Sequence, residues 1–231
     1  MNKTLLITRH GLSAHNLRTD FFMGRSPDAD LLPQGHAQAR ALGLRLGQEF
    51  TIDAIVASSL PRTMDTARTI RAAMAEVNPQ AGEIPLHGED AFWELSKGEW
   101  EGVMPRANLP QDIAGALRAD PHGFRYPGGE SYADVEARVG PAFDRWAATE
   151  SAHTMLFVLH GDVIRSLMRH LLDFPPHRIG DYETSPCGLT VFRSTPPGHV
   201  DKVGHNGAAF DSGNPVLVHF NDASHLKGLT A

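Results

Sequence analysis

Three short polar clusters carry most of the chemistry in this chain. The first is Thr8-Arg9-His10-Gly11-Leu12-Ser13-Ala14-His15-Asn16. The second is Ser58-Ser59-Leu60-Pro61-Arg62, running on to Thr66-Ala67, and the third is Leu159-His160-Gly161-Asp162-Val163-Ile164-Arg165. Each falls just past an apolar run, and any one alone could be ordinary strand-to-helix punctuation. Together they would bring Arg9, His10, Arg62 and His160 to one crevice. Guanidinium groups offer planar, bidentate donors that match phosphate oxygens, a geometry lysine cannot reproduce. A histidine among them would keep a neutral ring nitrogen, because neighbouring positive charge opposes its protonation. Such a set suits binding and transfer of a phosphoryl group.

Elements able to place these clusters are legible in the pattern. Thr4 to Thr8, Ala54 to Ala57 and Met155 to Leu159 are unbroken apolar runs, as expected of parallel strands covered on both faces. Helical periodicity fills the gaps at Pro33 to Gln48, Leu60 to Met74, Ser131 to Ala147 and Val163 to Leu172. Alternation of this kind predicts an α/β fold: a three-layer α/β/α sandwich, its central sheet mostly parallel, with helices on both faces. Ligands then bind beyond the carboxyl ends of the strands. Leu189 to Phe192 and Pro215 to Phe220 suggest two late strands, antiparallel at least in part. Residues 93–129 are rich in Gly, Pro and aromatics, with one short helix near Asp112 to Arg118; they read as an excursion over one sheet edge and over the site, of the kind that carries specificity. Without repeats or a linker, residues 1–231 read as one catalytic domain.

The ordered combination resembles the histidine phosphatase superfamily, the phosphoglycerate-mutase-like enzymes, and within it the small phosphatase branch. The resemblance rests on Arg9-His10-Gly11 with Asn16, on Ser58 to Ala67, on His160-Gly161 with Ile164-Arg165, and on Glu94 to Gly102 ending in Gly-Glu-Trp-Glu-Gly. Pro127-Gly128-Gly129-Glu130-Ser131 and Asn221 to Leu226 extend it from about residue 4 to residue 226. It implies a phosphomonoesterase that hydrolyses a small phosphorylated metabolite through a phosphohistidine on His10. Glu94 serves as general acid and base, and Arg9, Arg62 and His160 stabilise the transferring group. Asn16, Gly24 and Arg25 join Arg9, Arg62 and His160 as expected substrate-binding residues. A short helix starting near Leu12 would add backbone N–H groups at the same point. A phosphoglycerate mutase on the same core, and a catalytically silent phosphoester-binding protein, are the alternatives.

Departures from the family's usual pattern are Ser59, Pro33 and Asp162; Asp162 reads either as a helix N-cap or as a charge disfavouring a second substrate anion. The segment Phe21 to Arg25 and the side chains Trp100, Arg106, Phe124 and Tyr126 are candidates for lid and wall. Those aromatics face either an organic leaving group or the packing of the excursion itself. Lys97, Arg106 and Arg125 are expected at the solvated surface, contact with a distal carboxylate or second phosphate of the substrate being the alternative. Neither a metal nor another cofactor is expected: His199, His205, His219 and His225 lack zinc-ligand spacing and read as surface or loop residues. Cys187, the single cysteine, reads as a packed thiol. Among 231 residues, 21 Lys+Arg against 27 Asp+Glu give a net charge of −6, the wrong footprint for a nucleic-acid binder. No apolar stretch approaches a membrane span or a signal-peptide core, so a cytoplasmic location is expected. Oligomeric state is not legible, a homodimer being the one assembly kept open.

Overall fold

A computed structural model describes residues 3–26, 29–194 and 215–229. Six strands form one mixed sheet: β1 (Thr4–Arg9), β2 (Ala54–Ser58), β3 (Leu86–Glu89), β4 (Thr154–Leu159), β5 (Leu189–Ser194) and β6 (Pro215–Asp222). Their order is β3-β2-β4-β1-β5-β6. The first four run parallel, whereas β5 is antiparallel to β1 and β6 is antiparallel to β5. The expected α/β sheet is therefore present, and the two late strands pair as anticipated.

Among the described residues there are five helices, α1 (Pro33–Glu49), α2 (Pro61–Val77), α3 (Gln111–Ala119), α4 (Tyr132–Ala147) and α5 (Gly161–Leu172), of which α1, α2, α4 and α5 pack on the sheet and α3 belongs to the 93–129 excursion. Alternation along the strands divides the core between two faces. Leu6, Ile55, Ala57, Leu156 and Val158 pack with Leu42 and Leu46 of α1 and Ala67 and Ile70 of α2. Leu5, Ile7, Val56, Met155 and Phe157 pack instead with Val139 and Phe143 of α4 and Leu167 and Leu171 of α5. Pro33 and Pro61 each occupy the first helical turn, where the missing N–H costs nothing. Ser131 caps α4 by accepting from Asp134 N, and Asp134 answers at Ser131 N in a reciprocal capping box. Gly43 lets α1 and α2 approach, since a Cβ there would lie 2.5 Å from the Ile70 carbonyl oxygen.

Strand β3 escapes the apolar pattern because it is an edge strand of four residues with its middle pair exposed. It matters for the site, because a single 3₁₀ turn at Asp90–Phe92 leads directly from its carboxyl end to Glu94. Residues 93–129 hold two further 3₁₀ turns and α3. Backbone hydrogen bonds stitch this stretch to the segment before α1: Gly102 N donates to Phe22 O, Phe22 N to Met104 O, and Arg106 N to Asp20 O. Trp100, Phe124 and Tyr126 pack on one another and on Phe22, so these aromatics do pack the excursion.

Candidate active site

Four parallel strands deliver the site residues from their carboxyl ends. Arg9 closes β1 and His10 follows it, its N–H donating to Leu159 O across the junction with β4. Ser58 ends β2, and Arg62 lies in the first turn of α2. Glu94 follows β3, while His160 sits between β4 and α5. His10, Arg9, Arg62, Glu94 and Asn16 line one cleft of about 340 Å³, together with Gly24, Arg165 and Asp162.

The turn after His10 is fixed by close backbone approach. A Cβ on Gly11 would lie 2.5 Å from the Gly35 carbonyl oxygen at the start of α1. Gly11 N donates to Thr66 Oγ1, Leu12 N to Gln38 Oε1, and Ser13 N to Asn16 Oδ1. The helix expected near Leu12 is instead one 3₁₀ turn, Ala14–Leu17. The preceding N–H groups are already bonded within the protein, so they do not supply the anticipated positive pole. Asn16 lines the cleft with its oxygen engaged at Ser13, which leaves its amide NH₂ as the group it can offer a ligand.

Electrostatics at the histidine pair follow from burial and the arginines. His10 is 3% exposed and His160 wholly buried, their ring centroids 5.3 Å apart. Burial drives the His10 pKa well below the ordinary histidine value, and Arg9 and Arg62 push the same way. Its Nδ1 lies 2.8 Å from the Gly11 carbonyl oxygen, which can only accept, so the proton sits on Nδ1 and Nε2 carries a lone pair. Burial, then Arg62 and His10, likewise keep His160 neutral. Ser58 Oγ is 2.9 Å from its Nε2 and also accepts, at 3.4 Å, from Leu60 N. The Ser58 hydroxyl can therefore act as donor or as acceptor toward His160 Nε2. Both His160 Nδ1 and Arg9 Nε are buried without a protein partner. Arg9 Nε, a donor beside an arginine-lined cleft, suits an anionic ligand.

Arg62, 2% exposed, donates to Gly24 O at 3.1 Å and Ser26 O at 2.9 Å. Gly24 accordingly lines the cleft and supplies a carbonyl that orients Arg62. Arg25 is placed differently from the sequence expectation: it lies outside the cleft lining, over the Trp93 ring, paired with Glu130 at 2.7 Å and donating to the Glu94 carbonyl. The apolar length of Phe21 to Met23 drew attention to the segment, but the guanidinium finds a carboxylate 105 residues away.

Two further expectations are corrected. Lys97 is 4% exposed rather than solvated, and its Nζ pairs with Asp162 at 2.9 Å while lying 4.3 Å from the Tyr126 ring centroid. Asp162 is not the N-cap of α5, a place His160 takes; it lies within the first turn, where Lys97, Arg165 and the Tyr132 hydroxyl all bond its carboxylate. That charge is compensated and opposes a second substrate anion far less than a bare carboxylate would. Arg106 lines the cleft with its guanidinium 4.4 Å from the Phe22 ring centroid, and Arg125 is exposed and paired with Asp134. Arg165, in the third cluster but without an assigned role, and Arg18, two residues beyond the first cluster, also line the cleft.

Cys187 is buried and holds a left-handed backbone, φ 57°, with burial pushing its thiol pKa up. His225 Nε2 contacts its carbonyl oxygen at 3.0 Å. His219 lies on β6, whereas His199 and His205 fall outside the described residues. Among the described residues no three His, Cys, Asp or Glu side chains gather as a metal site, and no helix is long and apolar enough to cross a membrane.

Known proteins share this arrangement over most of the chain. A phosphoglycerate mutase named as 2,3-bisphosphoglycerate-dependent, from Rhizobium etli, is 33% identical over 198 residues, spanning 82% of this chain and 90% of its own. The native structure of a mycobacterial glucosyl-3-phosphoglycerate phosphatase superposes with a TM-score of 0.74 at 25% identity, covering 96% of this chain and 100% of that one. A phosphoserine phosphatase mutant from Entamoeba histolytica, in complex with phosphoserine, gives a TM-score of 0.72 at 25% identity, covering 97% and 99%. The family described as Histidine phosphatase superfamily (branch 1) matches residues 5–204, and with the paired histidines at its strand ends this chain belongs to that superfamily.

Proposed function

We propose that the protein is a phosphomonoesterase acting on a small phosphorylated metabolite through a phosphohistidine on His10, without a metal. The observation that carries this reading is the committed tautomer of His10: Nδ1 donates to Gly11 O, leaving a neutral Nε2 in a cleft lined by Arg9 and Arg62. In the first half-reaction the Nε2 lone pair attacks phosphorus, and the bond from phosphorus to the ester oxygen breaks. Glu94 gives that oxygen its proton. Enclosure by the protein, then the Asp162 charge, raise the Glu94 pKa, favouring the acid form needed at this step. Arg9, Arg62 and the Nδ1–H of His160 bind the three peripheral oxygens and stabilise the charge spread over them. In the second half-reaction the Glu94 carboxylate takes a proton from water, the water oxygen bonds to phosphorus, and the P–N electron pair returns to Nε2. Phosphate leaves with Glu94 again protonated.

Relatives named as mutases support a second reading, in which the phosphoryl group returns to bound substrate rather than to water. Phosphate release across sugar phosphates, phosphoglycerates, nucleotides and phosphoamino acids is expected, and should survive chelator. It should exceed mutase flux measured with and without bisphosphoglycerate. An acid-labile, base-stable phosphoryl label should vanish in His10→Ala. A label retained in that variant refutes the intermediate; mutase flux above hydrolysis favours the second reading; ligand binding without turnover makes the protein a phosphoester binder.

A further inference from the structure

At the wall of the cleft, which Asp162 and Arg165 line, four side chains from two helices and the segment after Glu94 form a compact polar cluster. Asp162 of α5 receives Lys97 Nζ at 2.9 Å, Arg165 at 2.8 Å and the Tyr132 hydroxyl of α4 at 2.5 Å. Its backbone N–H also reaches Glu94 Oε2, at a long 3.4 Å, while Leu95 N holds the other oxygen at 2.8 Å. We propose that Asp162 is a positioning residue for the proton-transfer step, readying Glu94 through its backbone N–H and through a fixed negative charge that Lys97, Arg165 and Tyr132 lock in place. This rests on the hydrolase reading above.

Charges facing Glu94 come from every side. Arg9 of β1, Arg62 of α2 and Lys97 on its own segment favour its ionised form, whereas Asp162 opposes it. Arg25 and Arg138 both donate to the Glu94 backbone carbonyl, which anchors the residue from below. Burial first and the Asp162 charge second favour the protonated Glu94 that the leaving oxygen requires, against the pull of Arg62 and Lys97. Asp162 cannot be that acid itself, because Lys97 and Arg165 hold it ionised far below the usual carboxylate range. Arg9 and Arg165, which also see Asp162, complete its surroundings.

The test compares an alkyl phosphate, whose leaving oxygen needs a proton, with 4-nitrophenyl phosphate, whose leaving group departs as a stable anion. Asp162→Asn should lower kcat for the alkyl ester at least tenfold more than for the aryl ester, and should move the alkaline limb of the alkyl kcat/KM profile to lower pH. Lys97→Gln, which removes a cation and leaves Asp162 held by Arg165 and Tyr132, should move that limb the opposite way. Opposite displacements are an outcome that simple loosening of the cluster would not give. Equal losses on both esters, or an unmoved limb in both variants, overturn the proposal. Should Asp162→Asn fail to fold, Lys97→Gln/Asp162→Asn, which removes the ion pair together, is compared with Lys97→Gln: its limb should lie at lower pH, and an equal limb overturns the proposal. A wild-type protein that releases phosphate from neither ester overturns the hydrolase reading instead, and this one with it.

Discussion

Ser58→Ala removes a single hydroxyl at full burial, and its cost can be worked from the geometry. In the wild-type protein that hydroxyl lies 2.9 Å from His160 Nε2, and a bond donated to that nitrogen would hold the imidazole proton on Nδ1, the tautomer the proposed mechanism uses. The variant leaves Nε2 without a partner in a dry site, a loss of about 1–3 kcal/mol for a buried unsatisfied group. Without that anchor nothing holds the proton on Nδ1, and a proton on Nε2 turns the Nδ1 lone pair toward the phosphate oxygens. At about 1.4 kcal/mol per tenfold in rate, kcat/KM for phosphate release should fall about 5- to 150-fold. Steady-state kinetics on one ester gives the loss, nitrogen NMR of the imidazole gives the tautomer, and thermal melting gives the stability. A variant within twofold of wild type in kcat/KM, or a wild-type ring protonated on Nε2, would refute the reasoning.

Arg62→Lys should lower kcat/KM on the order of 100-fold, because an ammonium cannot hold Gly24 O and Ser26 O and also meet phosphate in a planar fork; full activity in this variant would show that Arg62 does not contact the phosphoryl group. Both buried histidines have depressed pKa values, so their contribution to stability is complete above the unfolded value of about 6.5 and is lost as pH falls below it. Urea melts from pH 8 to pH 5 should show this loss reaching at most about 2.7 kcal/mol per pH unit, and His10→Gln/His160→Gln should flatten it relative to wild type. His170, raised by its bond to Asp144, acts with the opposite sign in both proteins and cancels in the difference. Gly11→Ala should abolish activity and lower the melting temperature, since the Cβ meets backbone at 2.5 Å rather than a side chain that could turn away; a fully active, equally stable Gly11→Ala would disprove that packing. Cys187 should resist a thiol reagent until the protein unfolds, and rapid labelling of the native protein would contradict its burial.

Legibility in the sequence tracked the range of the interaction responsible. Apolar runs announced β1, β2 and β4, and the polar residues immediately beyond them announced Arg9, His10, Arg62 and His160, because strand ends and their first turns are local features. Strand β3 was silent since only Leu86 and Glu89 of its four residues are even half-buried. Charged side chains were the least legible. Lys97 reads as a solvated cation and Arg25 as a substrate-binding one in sequence, yet one finds Asp162 and the other Glu130, partners supplied by topology rather than spacing. The same holds for Asp162, whose place beside a histidine at a helix start reads as capping until Lys97 and Tyr132 are brought beneath it.

Strand order has a consequence for synthesis. The first strand made, β1, lies between β4 and β5, so Thr4 must wait for Thr154 and then for Arg193 before either edge is paired. At roughly 5–20 residues per second a ribosome needs about ten to forty seconds to reach Arg193. Until β4 and then β5 are made, the apolar Leu5-Leu6-Ile7 lacks its neighbouring strands, and Arg9 lacks its tethers: Arg9 NH1 bonds Thr184 O, and Arg9 O receives Cys187 N. A nascent chain interrupted before residue 187 therefore carries His10, Arg62, Glu94 and His160 but not the last clamp on Arg9. Competence arrives late and nearly all at once, and truncated products of translation should be inert rather than partly active.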